Sequence, residues 1–169
     1  TGATISGNTG NSIGGGVYSD GTLIMETGSS IKNNTANDQG GGVFINNGEF
    51  NMTAGTINGN TVTNGNGGGV FVKDTGSTFT MSDNATISGN AATEGGGVYN
   101  TSSSTMSSEA TISENTSSYY GGGVFNISSF EMTGGTISGN EAENGGGVIT
   151  TVLNVDDVSS FKMSGGTIS

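Results

Sequence analysis

The chain has 169 residues, of which 34 are glycine, and it contains no proline, cysteine, tryptophan or histidine. Collagen would place glycine at every third position, and a disordered chain would carry more charge and fewer large apolar residues, so the composition excludes both. Three lysines and fourteen acidic residues give a net charge of -11, which makes nucleic acids and anionic lipids poor partners. Without cysteine there is no disulfide and no thiolate metal site.

The first repeated element is a Thr-Ile-x-x-Asn motif, in which Ser30 replaces threonine once. Isoleucine alternates with hydroxyl residues at period two, which predicts a short strand with isoleucine buried and Thr and Ser on the other face. The asparagine falls at the next corner, where stacked amides can donate and accept hydrogen bonds along the stack. We therefore predict a structural ladder of Asn8, Asn34, Asn60, Asn90, Asn115 and Asn140.

The second element is a glycine triplet followed by valine and a large side chain, and its six copies recur every 24 to 28 residues. The glycines predict a sharp corner with positive φ. Lys73 lies two residues after Phe71 and therefore on the same face of the strand. Because a lysine faces solvent, we predict that the large side chains point outward and valine points inward. The large side chains would then form a ligand surface that stacks on sugar rings or docks a partner, unless they pack under a turn. They are Tyr18, Phe44, Phe71, Tyr99, Phe125 and Ile149.

The third element ends in methionine, and all six methionines of the chain occupy this position. In most copies phenylalanine lies two residues earlier, with a polar residue such as Thr80 or Glu131 between them. This alternation predicts a strand whose aromatic ring and thioether face the interior.

Three short strands in a fixed order, repeated about every 26 residues, predict stacked coils. We predict a single all-β domain over residues 1–169, a right-handed parallel β-helix solenoid with three strands per coil and about six to seven coils. Six steps of about 4.8 Å would make the stack roughly 29 Å tall. Because no polar cap covers either end of this sequence, we expect it to be a section of a longer repeat array.

The connection after Ile149 is long and carries Asp156 and Asp157, which would be a loop contact. These carboxylates have the oxygen ligands that Ca²⁺ prefers, but no glycine-aspartate repeat accompanies them, so a solvated turn is favoured and no metal or cofactor is expected. Polysaccharide-cleaving enzymes of this architecture need clustered carboxylates, often with a basic residue. This chain disperses its carboxylates and has no Arg or His, so we expect no enzyme activity.

Two columns of mostly hydroxyl-bearing side chains would run along the outer face of the Thr-Ile strands. Their pairs are Thr4 and Ser6, Thr56 and Asn58, Thr86 and Ser88, Thr111 and Ser113, Thr136 and Ser138, and Thr167 and Ser169. Such columns resemble those of ice-binding solenoids and would repeat about 4.8 Å along the axis and about 6.6 Å along the strand. Lys32 interrupts them, which favours the simpler interpretation of an exposed polar sheet.

The Gly-Gly-Gly-Val copies and the Ile-x-x-Asn motif resemble the parallel β-helix repeats of bacterial surface and adhesin-like proteins. The nearest pattern is the Gly-Gly-aliphatic and aromatic-x-x-Asn repeats of polymorphic outer-membrane proteins. The resemblance covers the whole chain and implies a secreted or cell-surface shaft or adhesin without catalytic residues. Its partners would be neighbouring repeats of the same or an identical chain, end to end, and a host or environmental glycan or protein. With no run of 18 apolar residues, this segment is not expected to insert into a membrane.

Overall fold

A computed structural model describes residues 2–74, 76–152 and 158–169. In this part of the chain there are 24 strands and no helix, and hence no helix that could cross a membrane. Every strand pairs in parallel with the equivalent strand of a neighbouring coil. The all-β parallel β-helix of stacked coils is thus confirmed, and its right-handed sense stays a prediction.

Three sheets correspond to the three repeated elements, with strands numbered in chain order. The Ile sheet contains β1 (Thr4–Ser6), β5 (Ser30–Lys32), β9 (Thr56–Asn58), β13 (Thr86–Ser88), β17 (Thr111–Ser113), β21 (Thr136–Ser138) and β24 (Thr167–Ile168). The Val sheet contains β3 (Val17–Ser19), β7 (Val43–Asn46), β11 (Val70–Lys73), β15 (Val98–Asn100), β19 (Val124–Asn126) and β22 (Val148–Thr150). The Met sheet contains β4 (Thr22–Met25), β8 (Glu49–Met52), β12 (Thr78–Met81), β16 (Ser103–Met106), β20 (Ser129–Met132) and β23 (Ser160–Met163).

A fourth sheet follows the corner asparagine, so these coils have four strands where the sequence predicts three. This corner sheet contains β2 (Thr9–Gly10), β6 (Thr35–Ala36), β10 (Thr61–Val62), β14 (Ala91–Glu94) and β18 (Thr116–Tyr120). Ala36, Val62 and Ala92 point into the coil and form a small cluster of their own. Strands of two residues are too short for hydrophobic alternation, which explains why the sequence pattern misses them.

The main core is a column of apolar side chains that runs through the middle of the coils. Ile57, Val70, Phe79 and Met81 show the arrangement, because one residue from each position of the repeat is essentially excluded from solvent. The inward parity predicted for isoleucine, valine, phenylalanine and methionine is therefore confirmed. Burying each such side chain contributes about 1.5–3 kcal/mol, so the fold is stabilised by repetition of small contributions.

Coils are numbered by their corner asparagine and the glycine triplet that follows it, so coil four is the one with Asn90 and the triplet 95–97. This coil replaces part of the column with a buried polar pair. Ser104 occupies the position of phenylalanine in neighbouring coils and donates to Asn100 Oδ1 at 2.8 Å. The Asn100 amide in turn donates to Asn126 Oδ1 at 2.7 Å. Among the described residues no buried side-chain nitrogen or oxygen lacks a hydrogen-bond partner, so this polar insertion is compatible with a dry interior.

Candidate binding surfaces of the coil

The glycine triplets set the corner that leads into the Val sheet. The first glycine of each triplet has a positive φ between 62° and 73°. A Cβ on Gly41 would lie 2.5 Å from the Gly68 carbonyl oxygen, and one on Gly42 would lie 2.6 Å from that of Gly69. All three glycines are therefore required, the first by its backbone conformation and the others by the close approach of the next coil.

The six corner asparagines form a continuous hydrogen-bonded ladder. Asn60 is typical: its Nδ2 donates to Asn90 Oδ1 at 2.9 Å and to the Ile31 carbonyl at 3.0 Å. Its Oδ1 accepts from the backbone N–H and the Nδ2 of Asn34, both at 3.0 Å. The same side-chain contacts link Asn8 to Asn34 and continue to Asn140. Because its amides are occupied in this way, the ladder acts between coils as a structural element.

The large side chains of the Val sheet do point outward, but four of them are not an open surface. Phe44, Phe71, Tyr99 and Phe125 are at most 6% exposed. Adjacent rings stack face to face with centroids 4.7 to 5.1 Å apart, so neighbouring rings cover most of each ring face. The prediction of an exposed aromatic ligand surface is wrong for these four residues. Their outward direction agrees with the prediction, but in-register stacking and flanking side chains remove them from solvent.

The two ends of this aromatic column differ from its middle. Tyr18, at the first coil, is 46% exposed, although its ring stacks on Phe44 with centroids 5.6 Å apart. Ile149, at the last coil, is half-buried and packs against the column. Ligand access to the column is therefore limited to its ends.

Two ionisable residues at the aromatic column, Tyr99 and Glu94, have raised pKa values. Burial and, to a smaller extent, the negative charge of Glu94 raise the pKa of Tyr99, a hydrogen bond with Asn66 lowers it, and the net result is a pKa of about 12. Burial also raises the pKa of Glu94. The Tyr99 hydroxyl is thus protonated at neutral pH and stays inside the surface cluster.

A pocket of about 300 Å³ lies at the Ile149 end of the aromatic column. We call it the Tyr120 pocket, and its walls are Glu94, Tyr120, Phe125, Ile149, Thr151 and Val152. Tyr120 is 39% exposed, and its ring lies 6.2 Å from that of Phe125 at an interplanar angle of 49°. The two rings therefore form an angled wall, and among the described lining residues Glu94 is the one carboxylate.

A β-bulge in the corner sheet places Tyr120 at this pocket. Ala92 pairs with Ser117, whereas Glu94 pairs with Tyr120, so coil five carries one extra residue. Ser117 Oγ lies 2.8 Å from the carbonyl oxygens of both Thr93 and Tyr120, where it can donate to either and hold the bulge. Bulges frequently occur beside functional sites because they re-aim a side chain.

Glu94, Tyr119 and Tyr120 were not predicted as site residues, although the spacing of the repeat contains a signal for the two tyrosines. Five residues separate the corner asparagine from the glycine triplet in coil five, whereas four do so in coils four and six. Coils one and two also have five residues there and coil three has six, so the signal is the change in length from coil four to coil five. In the structure this change appears as the bulge that carries the two consecutive tyrosines. Neither composition nor alternation reveals that Glu94 of the previous coil lies in the same pocket.

The hydroxyl columns lie on the outer face of the Ile sheet. Its strands pair in register, for example Thr86 with Thr111 and Ser88 with Ser113, so the hydroxyl groups repeat from coil to coil. Thr56 Oγ1 donates to Ser30 Oγ at 3.2 Å along one column. Lys32 lies in the other column, opposite Ser6 and Asn58, and interrupts it.

The predicted loop contact, Asp156 and Asp157, lies outside the described residues. Within the described ranges, no group of three acidic, histidine or cysteine side chains is placed to hold a metal ion. The described lining of the Tyr120 pocket combines one exposed aromatic ring, that of Tyr120, with the carboxylate of Glu94. No protein-family model, curated protein or solved structure matches this chain.

Proposed function

We propose that the chain is a segment of a non-catalytic, secreted or cell-surface shaft that also carries adhesive surfaces. The observation that supports this role is the in-register stacking of identical elements. The apolar core, the asparagine ladder and the aromatic column all run parallel to the coil axis. Bending the stack would strain all of these columns at once, which suits a stiff spacer.

The proposal includes end-to-end stacking with further coils of the same or an identical chain. Met163 and Ile168 are 43% and 40% exposed, whereas their equivalents one coil earlier, Met132 and Ile137, are completely buried. Another coil placed on this face would bury both side chains and pair with the outer strand edges. Extracellular filaments built in this way would grow by repeated use of one interface.

The surface location and the adhesive role rest on the resemblance to bacterial surface repeats and on the charge of the chain. A net charge of -11 favours solubility and disfavours nucleic acids and anionic membranes. Glycoside hydrolysis ordinarily uses two carboxyl groups, whereas the described residues that line the Tyr120 pocket include one, that of Glu94. This difference supports binding of a host or environmental glycan or protein over cleavage of a polysaccharide.

Electron microscopy of the protein from its native source tests the shaft. We expect elongated particles much longer than the roughly 29 Å that six steps between coils provide. Discrete particles of about that length would contradict the shaft and indicate a capped binding module.

Two lysine variants of this chain test whether its ends associate. Ile168→Lys places a charge on the exposed end face and should abolish concentration-dependent association in analytical ultracentrifugation. Thr80→Lys is the matched control, because Thr80 is exposed on the side of the Met sheet and should not affect association. Equal effects of the two substitutions would exclude end-to-end stacking.

A second candidate function is ice binding by the hydroxyl columns. The specific observation in its favour is the in-register repetition of Thr and Ser across the seven-stranded Ile sheet. If this face binds ice, the chain should inhibit ice growth and Thr111→Lys should abolish the effect, while Thr80→Lys should not. Unhindered ice growth in the presence of the unmodified chain would rule this function out.

A further inference from the structure

The shape of the Tyr120 pocket suits a compact ligand better than a flat ring. Tyr120 and Phe125 meet at 49°, and Tyr119 and Tyr120 at 41°, so the rings do not form a coplanar platform. Sugar rings stack best on an exposed flat ring face, and the flat faces of this column are already covered by its own rings. A volume of about 300 Å³ is enough for one amino acid side chain.

The charge around the pocket is negative and uncompensated. Glu94 lines the pocket, and the ion pairs of the described residues, Lys73 with Asp74 and Lys162 with Glu131, do not involve it. The remaining lysine, Lys32, lies in the Ile sheet. The raised pKa of Glu94 reflects partial burial of its carboxylate, a cost that an incoming cation would offset.

We propose that the Tyr120 pocket binds an organic cation on an apolar stem, namely an arginine or lysine side chain of a partner protein. The Glu94 carboxylate would pair with the cation, and the face of the Tyr120 ring would attract it through its π-system. Ile149 and Val152 would contact the apolar stem. This binding activity is additional to the proposed shaft and does not require the coils to stack end to end.

The test uses three probes that separate charge from shape. N-acetyl-L-arginine amide carries the guanidinium group, and N-acetyl-L-citrulline amide is its neutral analogue of nearly the same shape. Methyl glucoside represents a neutral sugar. Each is titrated into the isotope-labelled chain, and backbone NMR shifts report both the affinity and the location of binding.

We expect the arginine derivative to bind about five-fold or more tightly than the citrulline derivative, with shifts centred on Glu94 and Tyr120. Glu94→Gln should reduce this preference, leaving the part due to the Tyr120 ring, and Tyr120→Leu should weaken arginine binding by about five-fold. Tyr119→Leu is the matched control, because Tyr119 is 53% exposed but does not line the pocket, and it should leave affinity unchanged. Each variant is accepted only if its spectrum shows that the coil remains folded.

Three results would overturn the proposal. Equal binding of the arginine and citrulline derivatives would show that charge is not recognised. Binding of methyl glucoside alone would identify a sugar site. An absence of shifts at the pocket with all three probes, in a folded protein, would show that it is not a binding site for any of them.

Discussion

Removing one amide from the middle of the asparagine ladder should destabilise the coil strongly. In Asn60→Ala, the Ile31 carbonyl and the Asn34 backbone N–H each lose their hydrogen bond to the Asn60 side chain. The amide-to-amide contacts with Asn34 and Asn90 are lost as well. Asn34, Asn60 and Asn90 are fully buried or nearly so, and water therefore does not readily replace these partners.

The magnitude follows from the number of polar groups left without a partner. A buried donor or acceptor without a hydrogen bond costs about 1–3 kcal/mol, and Asn60→Ala leaves two backbone groups in that state. With the small cavity included, the free energy of unfolding should fall by about 3–5 kcal/mol. Asn60→Asp should cost at least as much, because a carboxylate would face the Ile31 carbonyl and Asn90 Oδ1, both of which are acceptors.

Asn8→Ala is the matched control at the exposed end of the ladder. Its amide donates to Asn34 Oδ1 at 2.9 Å, but Asn8 is exposed and water can take over, so we expect a loss of about 1 kcal/mol or less. Urea unfolding followed by far-UV circular dichroism compares the variants, provided that the dependence on urea is the same for each. If Asn60→Ala lowered stability no more than Asn8→Ala, the ladder would not be the stabilising element described here.

Three further outcomes are expected. Gly42→Ala should lower the unfolding temperature, because its Cβ would lie 2.6 Å from a backbone oxygen of the next coil. Gly21→Ala is the control and should be neutral, because no atom lies within 4 Å of the added Cβ. Equal effects of the two substitutions would contradict the close approach at Gly42. Ile87→Asp should unfold adjacent coils, since it buries a carboxylate without a partner, and hydrogen exchange as slow as in the unmodified chain would refute this. Ultraviolet titration should show one tyrosine ionising near pH 12 that is absent in Tyr99→Phe. Because this pKa is raised on folding, the stability it provides is present below about pH 10 and lost as pH rises towards 12, and Glu94→Gln should lower the pKa.

The repeat and the face of each core side chain could be predicted from the sequence. Side chains alternate between the two faces of a strand. Once one isoleucine or valine is assigned to the interior, the face of every other side chain on that strand follows. Six copies of each element in the same order also imply register, because equivalent residues of successive coils must stack if every copy is to bury the same side chains. The direction of a side chain is a local property of one strand, whereas the register is predicted from the repetition of the coils.

Only the tertiary structure shows that the middle of the aromatic column is buried. Parity gives the direction of Phe71 but not what covers it, and the covering atoms belong to rings one coil above and below and to flanking side chains. The corner sheet was not predicted either, because three of its strands have only two residues and the other two, β14 and β18, show no regular apolar alternation in the sequence.

The Tyr120 pocket shows most clearly the division between sequence and structure. Glu94, Tyr120 and Ile149 come from three successive coils and are far apart in the sequence. The sequence determined that coil five has one residue more than its neighbours, whereas the bulge at Ser117 determined where that residue goes. Local alternation fixes which way a side chain points, but contacts between coils decide which groups meet and what remains open to a ligand.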